Sequence, residues 1–301
     1  MAHAHDHHSP GHGVRNYNRT FAIAIGLNVA FVVVEVIYGL LAGSLALLAD
    51  AGHNLSDVLG LLLAWGASYL ASRQASRWRT YGLRKTTILA ALFNALILLV
   101  AIGAIAWEAI SRLNTPAEVA GITVIVVAGI GVVINAATMM LFMADRKSDL
   151  NIRGAFVHMA ADAGISLGVV ITGIVILYSG VQWLDPLISL LIAAVIFVGT
   201  WALLRDSLNL ALDAVPKGIE PKEIEAFLVS LEGVEAVHDL HIWGISTTEV
   251  ALTAHLVKPD PSDDDKVIAE ISRVLKDRYR IDHATIQWER DTRVCPSGVE
   301  C

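Results

Sequence analysis

Cysteine is almost absent from this chain. Of its 301 residues only Cys295 and Cys301 are cysteines, both in the last seven positions. A bridge between them would close a short tail and brace nothing, so a disulfide-built fold is excluded; a reducing compartment or a metal role is expected instead. Charge is also scarce, at 17% of residues. The 22 Lys and Arg are outnumbered by 29 Asp and Glu, for a formal net charge of -7, which argues against a nucleic-acid partner. No HExxH pattern occurs, so the helical signature of a zinc protease is missing. The opening MAHAHDHHSPGHG lacks the apolar centre expected of a cleavable signal peptide.

What is abundant is apolar sequence. Hydrophobic residues make up 55% of the chain, and the mean hydropathy is +0.58. Such values belong to polytopic membrane proteins. Six segments reach the roughly 20 residues that a helix needs to cross a bilayer. They are predicted near Tyr17–Leu41, Ser44–Leu70, Thr86–Arg112, Val119–Met143, Ile152–Tyr178 and Trp183–Leu204. Short joints at Leu41–Ser44 and Ser179–Gln182 predict antiparallel neighbours. Arg73, Arg77, Arg79, Arg84 and Lys85 follow the second segment, and Arg146, Lys147 and Arg153 follow the fourth. Arg15 and Arg19 precede the first, and Arg205 follows the sixth. Apart from Arg112, the opposite joints are nearly free of positive charge, so both termini are expected in the cytoplasm.

From about Ser207 the composition turns soluble. Glu220–Leu231 reads as a helix with Pro221 in its first turn. Val234–Trp243 and Thr247–Val257 read as strands, Ser262–Tyr279 as a helix and His283–Glu289 as a last strand. This αββαβ order predicts a small α+β domain with its helices on one face of the sheet. The expected organisation is therefore an α-helical membrane protein: a His-rich tail (1–15), six transmembrane helices (16–206), an α+β cytoplasmic domain (207–290) and a Cys-containing tail (291–301).

Two histidine–aspartate pairs stand inside the apolar segments. His53 and Asp57 lie in LLADAGHNLSDVLGLLLAW, and His158 and Asp162 in GAFVHMAADAGISLGVVI. Each pair is spaced i, i+4 and shares one helix face. An ionisable group at membrane depth costs roughly 2.5–3.5 kcal/mol on insertion scales, so such residues mark sites that bind or move something. Two imidazoles and two carboxylates form a four-ligand set suited to tetrahedral Zn²⁺. Two aspartates also neutralise a dication. Without the ion the carboxylates repel one another, so the site is expected to hold protons and to exchange them for metal. Asp50, one turn from His53, extends the stripe; it is a candidate for ion exit or proton relay, with capping of the helix start as the alternative. Glu35, Asn28, Asn94, Asn135 and Glu108 are expected to hold helices together or line a water path. ADAG occurs at Ala49–Gly52 and Ala161–Gly164, but the histidines flank the copies differently and no repeat is inferred.

The chain resembles the cation diffusion facilitator family, in its bacterial zinc-efflux branch. The resemblance spans about Asn16 to Glu289 and is carried by SLALLADAGHNLSD, RTYGLRKTTILAALFNA, NIRGAFVHMAADAGISLGVV, SLNLALDAVP, VHDLHIWGIS and HATIQWE. It implies a six-helix homodimeric antiporter with a metallochaperone-like (ferredoxin-like) cytoplasmic domain, exporting Zn²⁺ against H⁺ by alternating access. Its transport site falls on His53, Asp57, His158 and Asp162. In the family, histidine at the position of His53 goes with zinc selectivity. The loop SRQASRWRT lacks the ligands that some members carry there, so that second site is expected to be absent, as is the His-rich loop between segments four and five. Lys85 matches the lysine of a lysine–aspartate interlock, for which Asp213 is a possible partner.

In the soluble domain the resemblance places metal ligands at His238, His255 and Glu289. It adds Cys295, since some relatives end in cysteines that join this site. His241, three residues from His238, is expected on the other face of its strand as a structural residue, and His283 is the weakest candidate. His3, His5, His7, His8 and His12 read as a metal-collecting arm. The reading is a Zn²⁺/H⁺ antiporter in a bilayer, expected in the bacterial inner membrane. Alternatives are Cd²⁺ or Co²⁺ as co-substrate, or a metal sensor that transports nothing. An enzyme is not expected, because four ligands leave no open position for activated water.

Overall fold

The computed structural model describes residues 17–115, 117–142 and 150–291. Six long helices occur in order: α1 (Tyr17–Ala42), α2 (Leu45–Ala71), α3 (Thr86–Asn114), α4 (Gly121–Phe142), α5 (Leu150–Ser179) and α6 (Leu184–Ala211). They match the six expected segments, except that α6 continues seven residues past Leu204, through Arg205 and Asp206. A backbone hydrogen-bond ladder has no reason to stop where the apolar side chains do. Among the described residues, four stretches are long and apolar enough to cross a membrane: Thr86–Asn114, Gly121–Met140, Met159–Ser179 and Leu184–Ala211. Asn28–Ala42 is a shorter apolar stretch. A helix satisfies its own backbone polar groups, which a bilayer core demands. Large apolar side chains such as Val100, Trp107, Leu191 and Val198 are exposed on these spans, as residues meeting lipid tails are. This is a multi-pass helical membrane protein with a small α+β domain after it.

The chain divides into two compact units. One runs to Val58 and resumes over Ala104–Ala194; the other takes Leu59–Gly103 and everything from Val195. In the first, α4 packs against α1 and α5. The α4–α5 approach is close because Gly121 and Gly173 face each other. A Cβ on Gly121 would stand 3.0 Å from the Gly173 carbonyl oxygen, and one on Gly173 would stand 3.2 Å from that of Gly121. Small residues permit such backbone approach between membrane helices.

The start of α2 is held by a residue from α6. Gly43 turns the chain at φ 66, and Ser44 Oγ accepts from Leu47 N at 3.1 Å as the cap residue. Ser44 Oγ then donates to Asp185 Oδ1 at 2.5 Å. Leu45 N donates to Asp185 Oδ2 at 2.7 Å and Ala46 N to Oδ1 at 3.3 Å. A buried carboxylate thus takes the free N–H groups and faces the positive end of the helix dipole.

In the second unit, α7 (Pro221–Val229), β1 (Ala236–Gly244), β2 (Val250–Val257), α8 (Asp264–Tyr279) and β3 (His283–Glu289) reproduce the expected αββαβ order. The sheet order is β1-β2-β3. β1 pairs antiparallel with β2, and β3 returns parallel to β2 after α8. One face of the sheet is apolar. Leu252, Ala254 and Leu256 of β2 are buried against Ile224 and Leu228 of α7 and Ile271 and Leu275 of α8. Both helices present apolar residues at i, i+4, which is why they lie on the same face. The other face of the sheet carries the polar alternates and is where a site can form. In this unit Lys85 Nζ meets Asp213 Oδ1 at 2.7 Å, so the two residues of the expected interlock are paired.

Candidate metal sites in the helices and on the sheet

α2 carries His53 and Asp57 on one face. α5 brings Asp162 to them, with His53 Nε2 3.0 Å from Asp162 Oδ1. His53, Asp57 and Asp162 each offer a ligand atom, all within 4.8 Å of one another. Asp162 is buried and His53 partly so. His158 stands on α5 four residues before Asp162; its side chain lies outside the described residues. Two helices therefore converge with one imidazole and two carboxylates.

Around these three residues runs a buried polar network. Ser166, one turn beyond Asp162, donates to Asp50 Oδ2 at 2.8 Å. Asn54 Nδ2 donates to Glu35 Oε2 at 2.9 Å. Glu35, Asp50 and Ser166 are each fully buried. Glu35 thus ties α1 to α2, the helix-joining role expected of it. The helix start is capped by Ser44 and Asp185 rather than by Asp50, which sits deeper and engages α5 instead. Glu108 pairs with Arg112 on its own helix at 2.9 Å. Asp185, Asn54 and Ser166 were not singled out by the sequence. Their types are common at helix starts and in spans, and only the packing gives them partners.

The second cluster lies on the polar face of the sheet. His238 of β1 is directly opposite His255 of β2. Glu289 ends β3 opposite Val257, two residues from His255 and so on the same face. His238 Nε2 is 2.9 Å from Glu289 Oε2, and His255 Nδ1 is 3.0 Å from Glu289 Oε1. The three offer ligand atoms within 4.8 Å of one another. His238 Nδ1 is buried with no hydrogen-bond partner among the described residues. Two nitrogens and a carboxylate, half-buried and convergent, fit a Zn²⁺-type cation.

Two expectations about this face need correction or completion. β1 has an irregularity between His238 and His241: two residues there, Asp239 and Leu240, oppose one on β2, Ala254, since His238 pairs with His255 and His241 with Thr253. The extra residue is absorbed as in a β-bulge, so His241 falls on the same face as His238 rather than the opposite one. Asp239 takes up the irregularity at φ 51. It stands beside both histidines, with Oδ1 2.8 Å from His241 Nε2 and Oδ2 3.4 Å from His255 Nε2. Strand alternation hides this residue, and no local signal marks the bulge. His283 is far from the cluster. Six residues of strand, about 20 Å, separate it from Glu289, and it meets Arg84 at 3.2 Å and the edge of Tyr81 instead. Cys295, Cys301, His3, His5, His7, His8 and His12 lie outside the described residues.

Both domains match known families. The cation efflux transmembrane domain matches residues 21–210, and the cation efflux protein cytoplasmic domain matches residues 216–291. The metal cation efflux system protein CzcD of Cupriavidus metallidurans is 36% identical over 288 residues, 95% of this chain and 89% of that protein. The zinc transporter ZitB of Escherichia coli (strain K12) is 36% identical over 291 residues, 96% of this chain and 93% of the other. A cadmium, cobalt and zinc/H(+)-K(+) antiporter of Bacillus velezensis is 34% identical over 304 residues, 97% of each chain. With one family matched along the helices and its companion along the α+β domain, this chain belongs to the cation efflux, or cation diffusion facilitator, family.

Proposed function

We propose that this protein is a Zn²⁺/H⁺ antiporter that exports zinc from the cytoplasm as a homodimer. The observation that carries the reading is the convergence of His53 and Asp57 on α2 with Asp162 on α5. His158 completes the set as the fourth ligand. The two carboxylates cancel the charge of the ion, which lowers the cost of holding it at membrane depth. The ligands come from two helices, so a relative shift of α2 and α5 opens the set and exposes the ion to one side or the other. When the ion leaves, protons replace it on the same groups. Asp50, bonded to Ser166, lies one helical turn from His53 and is assigned to proton relay or ion exit. The membrane is the bacterial inner membrane, with both termini in the cytoplasm, as the placement of Lys and Arg supports. His238, His255 and Glu289, with Cys295, form a regulatory metal site in the α+β domain, and the N-terminal histidines gather zinc. No enzymatic step belongs to this reading.

A second ion is favoured by a specific observation. The relatives include an antiporter named for cadmium and cobalt as well as zinc. Two imidazoles also suit Co²⁺ and Cd²⁺ better than Mn²⁺, which prefers more oxygen. Zinc is the principal cargo, with Cd²⁺ or Co²⁺ as co-substrates.

The test is metal flux into proteoliposomes under an imposed pH gradient. Wild type moves zinc against protons and Asp162→Ala does not. Equal flux through both would show that the ligands are structural. Zinc binding without any flux in wild type would make the protein a sensor.

A further inference from the structure

Asp239 sits on the metal-bearing face of the sheet in a conformation that needs a reason. Its φ of 51 is in the left-handed region, which Asp enters more readily than most residues but still uncommonly. It occupies the irregularity of β1, where the register slips between His238 and His241. The slip turns its carboxylate toward two imidazoles at once: Oδ1 is 2.8 Å from His241 Nε2, and Oδ2 is 3.4 Å from His255 Nε2.

We infer that Asp239 is a positioning residue of the metal site in the α+β domain, holding His255 by Nε2 so that Nδ1 faces the ion. The inference rests on reading His238, His255 and Glu289 as metal ligands. It concerns the ring nitrogens of His255. Nδ1 lies 3.0 Å from Glu289 Oε1, on the side of the ligand cluster. Nε2, on the other side of the ring, lies 3.4 Å from Asp239 Oδ2, an ion-pair approach. An ion seated with Glu289 takes the lone pair of Nδ1, and the neutral ring must then carry its proton on Nε2. A carboxylate only accepts, so Asp239 is matched to that proton and to no other tautomer.

Asp239 is not itself a ligand of that ion, because its nearer oxygen meets the nitrogen on the far side of the ring. Its own orientation is set by His241, largely exposed, at Oδ1. His241, Asp239 and His255 thus form a chain that leads inward from the surface to the cluster. Metal-bound histidines commonly give their second N–H to a carboxylate in this way, and loss of such a partner typically costs 10–100-fold in affinity.

The backbone makes the test clean. Both Asn and Gly adopt positive φ, so Asp239→Asn and Asp239→Gly keep the bulge while changing the side chain. The measurement is zinc affinity of the full chain in detergent, by competition with a chromophoric chelator. It is made in a His53→Ala, Asp57→Ala background so that the sheet site is read. Asp239→Gly is expected to bind about 10–100-fold more weakly, with Asp239→Asn between it and the unsubstituted protein. In ¹⁵N-histidine-labelled, zinc-loaded protein, the His255 Nε2 proton exchanges faster with solvent in Asp239→Gly. A merely structural Asp239 would leave that proton unaffected. Glu289→Gln separates the two levels of the argument. If it abolishes the tight site while Asp239→Gly binds within twofold of its parent, the positioning role is overturned and the site stands. If Glu289→Gln also binds as its parent does, the ligand assignment itself is wrong.

Discussion

His53 Nε2 and Asp162 Oδ1 lie 3.0 Å apart, although 109 residues separate them in sequence. The contact joins α2 to α5, and it sets up the sharpest test of the proposed transport site. Asp162→Asn keeps the shape of the side chain and removes its charge. The ion would then meet one carboxylate instead of two, and zinc flux in proteoliposomes should fall at least tenfold, the effect of losing about 1.4 kcal/mol. His53→Asp should instead keep flux but widen it, raising manganese transport relative to zinc, because an oxygen donor replaces a nitrogen one. Unchanged metal preference in His53→Asp would remove His53 from the site.

The Ser166–Asp50 bond predicts a separation of binding from proton coupling. Asp50→Asn keeps an oxygen that accepts from Ser166 Oγ, so the helices should still pack. The proton dependence of zinc flux should nevertheless change, while zinc affinity at fixed pH stays within a few-fold. If Asp50→Asn leaves both rate and pH profile untouched, Asp50 is only a packing residue. Ser166→Ala strands a buried carboxylate oxygen and should cost about 1–3 kcal/mol of stability.

Asp185 predicts an effect on stability without any part in chemistry. It receives the Ser44 hydroxyl and two N–H groups at the start of α2. Loss of a helix cap costs about 0.5–2 kcal/mol, and here Ser44 would also lose its acceptor. Asp185→Ala should lower the unfolding temperature in detergent clearly more than Asp185→Asn does. Equal melting of both variants would mean that charge, and not acceptor geometry, dominates.

The α+β domain carries its own acid limit. Asp264 is held below its usual pKa first by a hydrogen bond from Arg290, with Lys258 adding to it. Asp260 is lowered by the Ser262 hydroxyl and backbone N–H. A carboxylate with a depressed folded pKa contributes stability above its unfolded value, about 3.9, and loses that contribution as pH falls through the folded one. Stability from these groups should be flat from neutral pH to about 5 and decline below about 4. Arg290→Gln should flatten the acid side of the profile, followed by thermal unfolding of the full chain between pH 3 and 7. An unchanged acid slope would place the acid-sensitive groups elsewhere.

Periodicity explains which parts of this protein were readable without coordinates. Apolar runs of about 20 residues forecast all six helices, since a bilayer leaves the backbone no other way to satisfy itself. The i, i+4 spacing placed His53 with Asp57, Pro221 and SDDD marked the helix starts of α7 and α8, and the runs between them read as β1, β2 and β3 in order. Where the period breaks, the reading fails. One extra residue in β1 moved His241 to the other face, and no composition signals such an insertion. The end of α6 was missed for a related reason: hydropathy tracks the lipid, whereas the helix follows its hydrogen bonds.

The sequence by itself determined the class of molecule, the residue types of the proposed transport site and their local spacing, because these depend on solvent and on contacts within one helix. Only the tertiary structure decided that α5 delivers Asp162 to α2, that Asp185 of α6 caps α2, that Glu289 reaches both His238 and His255, and that Asp239 turns toward His255. Each of these is a contact between residues far apart in the chain. Such contacts are chosen by packing, sheet register and a single left-handed residue, none of which leaves a periodic trace along the chain.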